Sequence, residues 1–175
     1  MSVHAFLYSN GQVTDLGLGA GYGINNAGQV VGSANNGYAF LYSNGQVINL
    51  GALGGNGSVA YGINDAGRIV GEAAISNALP RAFLYSDGQM MNLNDLVDPT
   101  LGITLGEAVG INDNGQIVAN DVSREHAYLL TPVPEPVSWA LVFFSGLILL
   151  AQSRRYWKCP PSRSQACARL CQRET

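Results

Sequence analysis

The sequence predicts an all-β fold, a partial β-propeller-like array of about three four-stranded antiparallel blades, followed by a single transmembrane helix. Three observations carry this. Two apolar strings recur along the first 130 residues: "AFLYSNGQV" at Ala5 and Ala39 returns as "AFLYSDGQM" at Ala82 and fades to "AYLL" at Ala127, and "YGINNAGQVVG" at Tyr22 returns as "YGINDAGRIVG" at Tyr61 and "VGINDNGQIVA" at Val109. Six short connections end in glycine followed by Gln or Arg: Ser9, Asn26, Ser43, Asp65, Ser86 and Asp113 each open one. Near the C-terminus, 15 residues from Val137 to Ala151 carry no charge and lead to Arg154–Arg155.

Self-similarity at a fixed period means one supersecondary unit stacked on copies of itself. The repeated alanines at 5, 39, 82 and 127 are spaced by 34, 43 and 45 residues, so strands are kept while loops vary. The first unit, 12–42, divides into strands Gln12–Leu16, Tyr22–Asn25, Gln29–Ser33 and Tyr38–Tyr42. The second and third units span 46–85 and 89–130. Val3–Tyr8 is an orphan strand, read as the fourth strand of a blade or as a partner for the first strand of the next unit. The turn glycines supply a positive φ at the end of a type I turn, with Asn or Asp tolerated before them. Runs such as "AFLY" lack polar alternation, so the strands are expected to be covered on both faces. Gly and Asn punctuate the chain too often for a long helix. Three blades cannot close a ring, because propellers typically have about four to eight. Each end blade should therefore expose an apolar face and promote self-association.

Charge is divided along the chain. Up to Ala151, 3 basic residues face 11 acidic ones; beyond it, 6 basic residues face Glu174 alone. An acidic body argues against nucleic acid as a partner. All three cysteines, Cys159, Cys167 and Cys171, lie in the final segment, so the repeats hold no disulfide. No cofactor is expected. His4 and His126 share one repeat position with Tyr38 and Arg81, which marks a blade edge and not a general base. The serines lack a nucleophile elbow. The third unit carries the least repetitive insert, from Leu93, and Asn94, Asp95 and Asp98 within it are the weak calcium or glycan candidates. Asp95 and Glu107 are the loose pair for carboxylate catalysis, which needs both acids in one cleft.

The three prolines of "TPVPEP", residues 131–136, make a stiff linker that ends the sheet. The apolar run extends to Ser153, giving an expected span of 137–153. Nine of its residues are Leu, Ile, Val or Phe, which favours insertion by roughly −3 to −5 kcal/mol at most. The arginines that follow orient the C-terminus to the cytoplasm and the repeats outward. Residues 156–175 are basic, without periodicity, and expected to be disordered. Nothing near Met1 resembles a signal peptide, so for an exported product the start is read as truncated, misassigned or left over from a longer array.

Val133, Pro134, Glu135 and Pro136, then the apolar run, then Arg154 and Arg155, resemble a PEP-CTERM sorting tail over residues 133–155. The "HAF" tripeptide at His4, followed by "LYSNGQVTDLG", makes residues 3–130 similar to HAF-repeat extracellular proteins. The tail resemblance implies recognition and cleavage by exosortase, a membrane transpeptidase of Gram-negative bacteria that make exopolysaccharide. It implies a single-pass inner-membrane precursor that ends at the cell surface or in the matrix. The function expected from both is a non-enzymatic structural or adhesive repeat protein, with exopolysaccharide or further copies as partners. The alternative is a glycan-binding or glycan-active propeller, with or without calcium. Such tails normally stop soon after the arginines, and this chain runs on to Thr175.

Overall fold

The computed structural model describes residues 3–17, 19–76, 79–133 and 157–158. The described residues form four antiparallel sheets and no closed barrel or closed propeller. The first sheet pairs β1 (Phe6–Ser9) with β2 (Gln12–Asp15). The second is a meander of β3 (Ala20–Ile24), β4 (Val30–Ser33), β5 (Ala39–Ser43) and β6 (Gln46–Gly51). The third repeats it with β7 (Ser58–Ile63), β8 (Ile69–Ala73), β9 (Arg81–Ser86) and β10 (Gln89–Asn92). The fourth contains β11 (Leu105–Ile111), β12 (Ile117–Asp121) and β13 (Ala127–Pro132), with the two-residue β14 (Trp157–Lys158) on its edge. Two short 3-10 turns, Leu93–Asp95 and Pro99–Leu101, fill the insert between β10 and β11.

The sheets are offset by one strand from the units counted along the sequence. Gln12–Asp15 bonds back to β1 in the register Phe6↔Asp15 to Ser9↔Gln12, not forward to β3. The strand at Val3–Tyr8 thus pairs with the first strand of the next unit, the second of its two readings, and stands third and not fourth, since β1–β2 matches β5–β6 and β9–β10, the last two strands of a full sheet. The physical reason is the turn between them. Residues Ser9 and Gln12 pair across a two-residue loop, which holds its strands together.

The six glycine turns divide into two kinds. Asn10, Asn44 and Asp87 share positive φ (51°, 50° and 55°) with the glycines after them, so these loops are the two-residue type I′ form and not type I. At the other three, Gly28, Gly67 and Gly115 alone carry positive φ, closing longer loops that begin at Asn25, Asn64 and Asn112.

Alternation within each strand sets the core. In the third sheet, Val70, Ala82 and Leu84 face the fourth sheet, while Ala60, Ile69 and Phe83 face the second. Both faces of this sheet are covered, as its apolar strands require. The second sheet buries Val31 and Ala39 toward the third sheet and Val30 and Phe40 toward the first. Each first strand carries a β-bulge that leaves Tyr22, Tyr61 or Val109 without an opposed residue. Past the bulge, a glycine turns toward the next sheet. A Cβ on Gly23 would stand 3.0 Å from the Tyr61 carbonyl oxygen, and one on Gly62 would stand 3.2 Å from Gly110 Cα. Glycine lets the two backbones pass in contact, and a Cβ would have to push them apart by a few tenths of an ångström.

The expected span 137–153 lies outside the described residues. Among those described, no helix is long and apolar enough to cross a membrane.

Candidate functional site

The repeated Asn turns stack into a ladder that crosses the sheets. Within each turn the asparagine Oδ1 accepts a backbone N–H four residues on: Gln29 N at 3.0 Å from Asn25, Arg68 N at 2.9 Å from Asn64, and Gln116 N at 2.9 Å from Asn112. The side-chain amide then reaches the next sheet. Asn25 Nδ2 donates to the Asn64 carbonyl at 3.0 Å, and Asn64 Nδ2 to the Asn112 carbonyl at 3.1 Å. The following residue adds a second rung. Asp65 accepts from the Asn26 backbone and side chain, and Asp113 Oδ1 accepts from the Asp65 N–H at 2.9 Å. The hydrogen bonds from the Asn26 side chain and backbone hold the Asp65 carboxyl below its ordinary range. The turn alone needs only an acceptor, which Asp would supply. Asn in all three repeats is the signal that a donor is also used, and turn chemistry alone did not register it.

A cleft of about 220 Å³ opens between the third and fourth sheets, lined by the polar Glu72, Glu107, Asp121 and Arg124 and by Leu79 and Pro80. Glu107 accepts from Asn120 Nδ2 at 2.9 Å and from Arg124 at 3.1 Å. Glu72 accepts from the Tyr61 hydroxyl at 2.9 Å. Burial, together with Glu72, pushes the Tyr61 hydroxyl above its ordinary pKa. Asp121 accepts from His126 Nδ1 at 3.0 Å and Ser123 Oγ at 2.9 Å. Burial acts to raise its carboxyl, and the combined hydrogen bonds from His126, Ser123 and Glu125 outweigh it, so the net shift is downward. Carboxylates beside a guanidinium and an amide suit the hydroxyls of a polar ligand. Sequence reasoning reached Glu107 but not Glu72, because the two meet only when β8 and β11 pack.

The structure separates the loose catalytic pair. Asp95 lines a different hollow, with Leu53, Met90 and Leu96, and does not line the Glu107 cleft. Two of the three calcium candidates, Asn94 and Asp98, are engaged in local structure. Asn94 Oδ1 accepts from Leu105 N at 2.7 Å and its Nδ2 donates to the Leu105 carbonyl at 3.0 Å, fastening the insert to β11. Asp98 caps its 3-10 turn by accepting from Thr100 N at 2.9 Å and Thr100 Oγ1 at 2.8 Å, which lowers its pKa. Among the described residues no three His, Cys, Asp or Glu side chains converge as metal ligands. The histidines pair with carboxylates at strand ends, His4 with Asp15 at 2.9 Å and His126 with Asp121. Of the sorting residues, Val133 follows β13 directly; Pro134, Glu135, Pro136, Arg154 and Arg155 lie outside the described residues.

No family model, curated protein or solved structure matches this chain.

Proposed function

We propose that this protein is an exported, non-enzymatic repeat protein, propeller-like in architecture, that an exosortase-type transpeptidase sorts to the cell surface or exopolysaccharide matrix. There it acts as a structural or adhesive element. The observation that carries this reading is the order Pro134–Glu135–Pro136, uncharged apolar run, Arg154–Arg155. A body of glycine-punctuated sheets, independent of disulfides, supports a scaffold role. The test is expression of the full chain, and of a Pro134→Ala, Pro136→Ala variant, in a host carrying exosortase. Mass spectrometry should find the wild-type tail removed near residues 133–136 and the variant tail retained. Equal removal from both would contradict the sorting reading.

The second reading, a glycan-binding protein, is favoured by the cleft that joins Glu107 and Arg124 to Glu72. Its test is calorimetric titration of wild type and Glu107→Gln with oligosaccharides from the host's matrix. Saccharide binding abolished by the substitution would favour this reading over the plain scaffold.

A further inference from the structure

The two ends of the stack expose faces that correspond to the two sides of an internal seam, the first sheet presenting the last two strands of its side. On strands of the "AFLY" type, the phenylalanine faces the preceding sheet and the leucine after it faces the following one. Phe40 and Phe83 are 1% and 0% exposed because a preceding sheet covers them, whereas Phe6, at the same repeat position, is 62% exposed. Tyr8 and its partner across the hairpin, Val13, share that open face. At the other end, Val118 and Leu129 sit at the positions of Val70 and Leu84, which the fourth sheet buries to 0% and 5%. Val118 is 42% exposed and Leu129 37%. Gly110 completes the correspondence, since a Cβ there would meet nothing within 4 Å, while Gly62 abuts the next backbone.

We propose that copies of this chain associate head to tail, the open face of the fourth sheet (Val118, Leu129) docking on the open face of the first sheet (Phe6, Tyr8) of a second copy. The occupant follows from continuity. At the same strand positions, Val31 and Leu41 cluster with Phe83 and Tyr85 between the second and third sheets, and Val70 and Leu84 with Tyr128 and Leu130 between the third and fourth. The surfaces are different from each other, so the contact is heterologous and leads to a ring or a filament. A notch of about 360 Å³ beside β1, with Tyr22 and Ile24 exposed in it, adds apolar surface at the same end. This inference stands apart from the sorting reading and survives its failure.

Sedimentation of the full 175-residue chain, reduced and in detergent, tests it with Phe6→Asp and Leu129→Asp. The wild type should sediment as an oligomer. Each variant alone should be monomeric, its association weakened at least ~30-fold by loss of a central contact. An equimolar mixture of the two should give a dimer, because the intact tail of one meets the intact head of the other. Circular dichroism melts check that both variants remain folded, and the pair Tyr8→Asp with Val118→Asp should repeat the pattern. A monomeric wild type overturns the proposal, as does a mixture that stays monomeric. Association that both variants retain overturns it too, and assigns the contact to the apolar run at 137–151 or to another surface.

Discussion

Two side-chain positions decide whether the sheets stay joined. Gly62 has an ordinary backbone conformation, so only the tight approach of Gly110 disfavours a side chain there. Gly62→Ala should cost about 1–3 kcal/mol by pushing β7 off β11, measured by denaturant unfolding. Gly110→Ala, with open space, should cost less. Asn64 is 3% exposed and works on both sides of a seam. Replacing it by Ala should cost about 1–3 kcal/mol, the range for leaving buried partners unpaired. Asn112→Ala should cost less, because the Asn112 amide stays within its own turn on Gln116. The Asp65, Asp15, Asp98 and Asp121 carboxyls all lie below their ordinary pKa. Each depressed carboxyl contributes stability that is present above the unfolded value of about 3.9 and is lost as pH falls through the folded value. The melting temperature should therefore hold through neutral pH and fall below about pH 4, and Asp65→Asn should flatten that fall. At this scale the sequence was partly legible. The cap role of Asn and the turn role of glycine follow from local geometry. The cross-sheet role of the Asn64 amide does not, since it depends on a partner 48 residues away.

Strands were the most legible elements. The pieces expected in the first unit coincide with β2 to β5 within about two residues, because short apolar runs between glycine turns leave little freedom. Their grouping was less legible. A meander has the same turn signals whichever strand is counted first, and only hydrogen bonding places Gln12–Asp15 with β1. Covering of both faces was expected throughout, yet it holds in full only for the third sheet. Among the described residues no layer covers the outer faces of the first and fourth sheets, where Phe6, Val118 and Leu129 are exposed. Substitution should expose this contrast. Phe83→Ala should cost about 3–5 kcal/mol, while Phe6→Ala, at the same strand position on an open face, should stay near about 0.5 kcal/mol in the unassociated chain.

At the scale of the whole molecule, each described sheet packs on its neighbours in sequence, and stability should behave as a sum of sheet and seam terms. Amide exchange should be slowest in β8 and β9 of the third sheet and faster toward β1 and β13. The proposed function rests on the tail, where three residues and a charge pattern resemble a sorting address, and nothing in the repeats names a ligand. The cleft at Glu72 and Glu107 was hidden because its walls come from two different repeats. Everything structural rests on the seam where β7 meets β11. The most direct measurement is the nuclear Overhauser effect between the α-protons of Gly62 and Gly110 in the labelled full chain. The expected result is a strong cross-peak, accompanied by one from the Asn64 side-chain amide to the Asn112–Asp113 backbone. Its absence, with the contacts inside each sheet intact, would contradict face-to-face stacking.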